Sequence, residues 1–269
     1  RATDAPSAAC PRVLIVADEA SVSKVAEIYL AADGEQNLTN AVTEVFVGPG
    51  AHLDHARVLL GTETSHHVAK LAVRQDRSSA YASHVATLGG RLSRVEIDVL
   101  LDGEGADCTL DGMYHVHGRD HVDHQTRIEH AKPRCTSNET YRGIADGAGQ
   151  AVFNGIVVVG RNAPGTTAHQ QNRNLLLSDE AGIHTKPHLE IDTDDVVCSH
   201  GATIGAIDET QLFYLRSRGI PERPARAALT YAFVQAMVER IPDEALARRI
   251  GELLRNRLPE GDTVSELLS

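Results

Sequence analysis

In the run DDVVCSHGATIG, Asp194 to Gly205, a thiol and an imidazole stand two residues apart: Cys198 and His200. If the run is extended, positions i and i+2 project from one face. Sulfur and ring nitrogen then emerge together, a donor pair suited to soft or borderline metals and to thiolate chemistry. β-Branched residues before the pair favour the extended backbone. Two plainer roles compete. Cys198 serves equally as a buried strand thiol, and His200 as a strand histidine hydrogen-bonded at a subunit contact.

A second group is denser. MYHVHGRDHVDHQTRIEH carries His115, His117, His121, His124 and His130 with Asp120 and Asp123. HVHGRDH differs by one inserted residue from the HxHxDH pattern of metallo-β-lactamase-like hydrolases, where His and Asp hold metal and sharpen a bound water. On that alternative His115, His117, Asp120 and His121 make the chain a metallohydrolase. The insertion changes which side chains face the metal, and no αββα pattern surrounds the motif.

The chain has 269 residues, enough for a full core, and 42% of them are hydrophobic. Aromatics are 4% and Trp is absent, so the core must be built from Val, Ile, Leu and Ala. A net charge of −11 argues against nucleic acid as a partner, because no basic face is evident to release counterions. No apolar run approaches the roughly 20 residues that cross a bilayer, and no secretory signal is visible. The expected compartment is cytoplasmic, with Cys10, Cys108, Cys135 and Cys198 reduced. The first three are expected to be small buried hydrophobes. The chain starts at Arg1 rather than Met and reads as a fragment or a trimmed chain.

The elements that must position these groups are short. Residues 1–11 read as a loose N-terminal end. From residue 12 to about 206, apolar segments recur every 11–15 residues or so, broken by Gly, Asp, Asn and Ser. In the clearest, Val95, Ile97 and Val99 alternate with Arg94, Glu96 and Asp98, the mark of a half-buried strand. VSKVAEIYL, Val22 to Leu30, fits a helical stripe nearly as well as a strand. The spacing suits an all-β array but leaves a sandwich, a barrel and a solenoid open. Residues 207–269 read as helical. Asp208 with Gln211 suggests a capping box, Gly219 a C′ residue, and Pro221 the N1 of a second helix. Ala225, Ala228, Leu229, Ala232, Phe233 and Met237 form its apolar stripe. Leu246, Ile250, Leu253 and Leu254 mark a third helix.

The surroundings of the Cys–His pair carry more. HTKPHLEID (His184 to Asp192), the CSHGATIG run and DETQLFYLRSRGI (Asp208 to Ile220) together resemble the SufB/SufD family of the SUF iron–sulfur cluster assembly system. LTNAVTEV (Leu38 to Val45), HVDHQTRIEH (His121 to His130), GQAVFNGIVVV (Gly149 to Val159) and NRNLLLSDEAGIHTKPHLEI (Asn172 to Ile191) extend the likeness. It leans to the SufD branch: no Cys lies between Cys135 and Cys198, and Gly201 stands where SufB has an acid.

The resemblance implies a right-handed parallel β-helix core followed by a small helical region, and a non-catalytic scaffold subunit. It implies pairing with a SufB-like sister through the β-helix, and docking of a SufC-like ABC ATPase through the C-terminal helices, here Leu212, Phe213, Tyr214, Arg216 and Arg218. It makes Cys198 and His200 the assembly residues at the subunit interface. A nascent Fe–S cluster would be held there transiently and shared with the partner, with none expected in the isolated chain. No Walker motif is visible, so ATP hydrolysis would belong to the partner. An isolated chain could self-pair through an open sheet edge. A purely structural role, with the Cys–His pair packing a dimer seam, is the remaining alternative.

Overall fold

The computed structural model describes residues 6–31, 34 and 36–258. The chain runs through β1 (Ser7–Ala9), β2 (Arg12–Ala17), β3 (Val22–Leu30), β4 (Asn37–Val47), β5 (His52–Leu60), β6 (Ser65–Gln75) and β7 (Ala80–Leu88). It continues with β8 (Leu92–Leu101), β9 (Asp107–Val116), β10 (His121–His130), β11 (Thr136–Ala145) and β12 (Gln150–Val159). β13 (Thr166–Leu176), β14 (Gly182–Ile191) and β15 (Val196–Gly205) close the strand series. Three helices follow: α1 (Glu209–Ser217), α2 (Glu222–Val238) and α3 (Glu244–Arg257).

From β3 onward the strands alternate between two sheets. One is ordered β1-β4-β6-β8-β10-β12-β14, with β2 also on β4; the other is β15-β13-β11-β9-β7-β5-β3. Each pairing is parallel, and each coil lands on the one before it. His124, for example, stands in register between Val95 and Phe153, 29 residues away on either side. The array is therefore a parallel β-solenoid, the architecture that the resemblance implied and the spacing had left open.

The period-2 pattern is the physical basis. On β8, Val95, Ile97, Val99 and Leu101 turn into the bore and are at most 2% exposed. Arg94, Glu96 and Asp98 turn outward, where Lys70 of the adjoining coil bonds Asp98 at 2.5 Å and Arg94 bonds Glu96 of its own strand at 2.6 Å. Such half-exposed pairs each contribute well under about 1 kcal/mol. Burial of the inner column does the stabilising.

Several expectations need correction. Val22 to Leu30, left open between helix and strand, is strand and pairs along its whole length with β5. The expected loose end is in part the strand β1, parallel to β4; residues 1–5 lie outside the described residues. Cys108 and Cys135 are fully buried, but Cys10 is exposed. Asp208 does cap α1, accepting from the backbone N–H of Thr210 at 2.8 Å rather than that of Gln211. Gly219, at φ +88°, takes the C′ position that only a residue without Cβ adopts easily. Pro221 is the N-cap of α2 rather than its N1.

The face α2 buries matches the expected stripe only at Ala225 and Met237. Ala227, Tyr231, Val234 and Val238 pack with Val58, Ala86, Met113 and Ile144 on the outside of the odd-numbered sheet. Ala232 is exposed, and Ala228, Leu229 and Phe233 are only half-buried. α3 adds Ile250 and Leu254 to this second core, as its sequence pattern suggested. Arg142 of β11 donates to the Phe233 carbonyl, and Arg257 of α3 donates to the Leu88 carbonyl. The helices are thereby tied to the solenoid flank. Among the described residues no helix is long and apolar enough to cross a membrane.

Candidate functional site on the terminal coil

β15 is the last strand of its sheet, paired with β13 on one edge and, among the described residues, with no strand on the other. Cys198 lies in register with Ala168 and His200 with Gln170. Both partners face the bore, at 0% and 3% exposure, so Cys198 and His200 continue the inner columns. Among the described residues no further coil covers them. Cys198 is half-buried against the core, and His200 is exposed. At a rise near 3.3 Å per residue the two side chains leave one face about 6.6 Å apart along the strand. On the opposite face, Ser199 hydrogen-bonds His169 Nδ1 at 2.7 Å.

β14, the end strand of the other sheet, likewise pairs only with β12 among the described strands. The final coil thus offers two open ten-residue edges side by side, with the thiol and imidazole between them. Burial pushes the Cys198 thiol up, opposed by the backbone N–H of Ala168. A thiol so placed ionises when a metal ion or a cation displaces its proton. A cavity of 880 Å³ lies at the far end of β15, where Ile204 and Ile207 meet Arg223 and Arg226 of α2. Neither Cys198 nor His200 lines it, so the site is a displayed surface rather than a pocket.

The histidine-rich run gathers no centre. His115 lies on the outer face of β9 beneath the helices; burial, with Arg257 nearby, pushes it down to about 4. His117 sits in the following turn, exposed, 3.4 Å from Asp146. Asp120 accepts from the His117 backbone N–H at 3.1 Å and so closes that turn. His121 begins β10. His124 is inside the bore, bonded to Thr87 at 3.1 Å and stacked on Tyr114, and burial takes it down to about 3. His130 bonds Ser137 at 2.8 Å. Outer face, turn and bore point in different directions. Among the described residues no group of three or more His, Cys, Asp or Glu is placed to hold a metal ion. The metallohydrolase alternative, with its set His115, His117, Asp120 and His121, is corrected on geometry and on fold.

The proposed docking residues divide. Leu212 is 1% exposed and anchors α1 from within, so it is corrected to a core residue. Phe213 is 71% and Tyr214 57% exposed, and the Arg218 guanidinium lies 5.3 Å from the Tyr214 ring centre. Arg216 lies 3.4 Å from Glu222.

Sequence reasoning missed Glu139 and Gln170, which stack beneath His200. Neither residue type signals burial, and a register across some 30 residues is not visible locally. Burial pushes the Glu139 carboxyl up to about 7, with the Gln170 amide pulling the other way. A folded-state value above the unfolded one means stability is complete at low pH and is lost as pH rises through 7. Glu139→Gln is therefore expected to stabilise the chain by about 1–3 kcal/mol at pH 8 and to change little at pH 4. Urea unfolding at the two pH values checks this, and equal effects at both would refute it.

Fold and geometry together define a parallel β-solenoid protein with a cysteine and a histidine side by side on the last strand of one sheet. The family model described as SUF system FeS cluster assembly, SufBD core domain, matches residues 1–233. The iron–sulfur cluster assembly protein SufD of Escherichia coli is 35% identical over 243 residues, 90% of this chain and 57% of that protein. The iron–sulfur cluster assembly SufBD family protein slr0076 of Synechocystis is 34% identical over 255 residues, 92% of this chain and 56% of that protein. The chloroplastic protein ABCI7 of Arabidopsis thaliana is 35% identical over 250 residues, 92% of this chain and 52% of that protein. The chain belongs to the SufB/SufD family of iron–sulfur cluster assembly proteins, and is SufD-like. It spans just over half the length of these curated relatives.

Proposed function

We propose that this chain is a SufD-type scaffold subunit of a SUF assembly complex. It pairs with a SufB-like sister through the open terminal coil, and it docks a SufC-like ATPase on its C-terminal helices. Cys198 and His200 supply two donors to a nascent Fe–S cluster, which is cargo rather than a resident group. The observation that supports this reading is the Cys–His pair on the inner face of a strand whose outer edge is unpaired. Such an edge invites strand addition from another chain. A thiolate and an imidazole are both iron donors, but two donors leave coordination incomplete. The sister subunit completes the set, and a shared site releases its product when the joint opens.

The test is His200→Ala in a complex reconstituted with the SufB-like and SufC-like partners. Cluster yield should fall at least tenfold, with thermal unfolding unchanged because the side chain is exposed. Unchanged yield would remove His200 from assembly. Docking is tested separately. Exposed aromatics beside a guanidinium are typical interface anchors. Phe213→Ala with Tyr214→Ala should weaken ATPase binding tenfold or more and leave sister pairing intact; full ATPase binding would place the docking surface elsewhere.

A further inference from the structure

His200 does not stand on an inert floor. β13 places Gln170 in register with His200, and β11 places Glu139 in register with Gln170. All three face the bore. Gln170 is 3% and Glu139 2% exposed. The Gln170 amide nitrogen donates to Glu139 Oε2 at 2.5 Å. Gln170 Oε1 is buried and makes no hydrogen bond within the chain. Room for the amide comes from the facing β12, where a Cβ at Gly155 would collide with Gln170 Nε2 and crowd Phe153 and Thr126.

Stability does not account for this pair. Burying an amide and a carboxyl costs several kcal/mol unless both are fully bonded. One coil lower the same column holds Leu110, which packs with no such cost. The bonding has a direction instead. The Glu139 carboxyl engages the N–H end of the amide and leaves the carbonyl oxygen without a partner. In the next coil, at that register and on that face, stands an imidazole. Neighbouring strands are about 4.8 Å apart, and in-register side chains on one face touch.

We propose that Gln170 and Glu139 are positioning residues for His200: when the His200 ring turns toward the bore, Gln170 Oε1, oriented by Glu139, accepts one ring N–H and so fixes which ring nitrogen keeps its lone pair for iron. Neutral imidazole has one donor and one acceptor nitrogen, and the partner of the first selects the second. Histidines that bind metal generally donate the other N–H to such a partner. The inference rests on His200 being a donor in assembly.

The experiment is NMR of the 269-residue chain carrying 15N-labelled histidine, at a pH where the imidazole is neutral, with His200 assigned by His200→Ala. The ratio of its two tautomers is compared in the wild type, Gln170→Met, Glu139→Gln and the outer-face control His169→Ala. We expect at least a threefold change of ratio in Gln170→Met and in Glu139→Gln, and none in the control. An unchanged ratio in either variant overturns that residue's part. If Gln170→Met does not fold, Glu139→Gln alone decides the matter. Cluster yield with His200→Ala tests the assembly role independently. A shifted ratio with unchanged yield sinks that role alone, and a fixed ratio with lost yield sinks the positioning pair alone.

Discussion

Glu27→Gln should lower the unfolding free energy by about 3–5 kcal/mol, the usual cost of stranding a buried charge. Glu27 projects from β3 into the first coils of the bore. Its Oε1 lies 2.8 Å from His55 Nε2 and 3.4 Å from Arg57 Nε. The Tyr29 hydroxyl donates to Oε2 at 2.6 Å, and Thr43 donates at 3.0 Å. Arg57 is fully buried, and none of its three guanidinium nitrogens makes an aligned hydrogen bond, so the Glu27 carboxylate is its compensation. Burial alone would raise the Glu27 carboxyl. The His55 contact, the Arg57 charge and the Tyr29 hydroxyl outweigh it and hold the group at about 2.

A folded-state value below the unfolded one means this stabilisation is present above about pH 4.5 and fades as pH falls toward 2. The wild type should therefore lose about 2–3 kcal/mol over that window, and the variant should not. The double variant Glu27→Gln with Arg57→Met should recover most of the loss, since an apolar replacement of both partners removes the stranded charge. Urea unfolding at pH 7 and pH 3 measures all three chains. An unchanged midpoint for the single variant at pH 7 would show that Arg57 needs no counter-charge.

Gly112→Ala is the second large effect, expected to cost about 3 kcal/mol, the upper range for overpacking a core. Tyr141 stands in register with Gly112, and Tyr114 with Gly143, so each ring lies over a glycine of the adjoining coil. A Cβ at Gly112 would penetrate the Tyr141 ring, and one at Gly143 the Tyr114 ring. Neither ring can swing away. Both are at most 1% exposed, and Tyr114 is pinned by donation to Asn174 Oδ1 at 2.5 Å. Tyr141→Leu in the Gly112→Ala background should restore part of the stability. Gly201→Ala, beside His200, should be neutral, because a Cβ there meets nothing within 4 Å. If Gly112→Ala and Gly201→Ala melt alike, the interlock is not tight.

These two cases show where local reading stops. Cys198 and His200 were legible as a same-face pair because strand periodicity is local and needs no partner. Val95, Ile97 and Val99 were legible as core for the same reason. Glu27 with Arg57, Gly112 with Tyr141, and Gln170 with Glu139 were not, because each pair is made by a register across about 30 residues. On α2 the expected stripe failed at Ala232 because alanines on several faces make the apolar side ambiguous. Leu212 looked like an anchor for a partner. Its burial depended on how α1 lies against its surroundings.

The amino-acid order by itself determined the strand alternation, the helix stop at Gly219, and the side-by-side emergence of one thiol and one imidazole. Those features depend on dihedral preferences and on spacings of two to four residues. Only the tertiary structure decided that the strands stack as a solenoid and that the histidine-rich run is scattered among bore, turn and flank. It also decided that Cys198 and His200 end on an uncovered coil above a buried amide and carboxyl. Stacking is a long-range choice, fixed by which side chains fit over one another in the bore, and no window along the chain contains both members of such a fit.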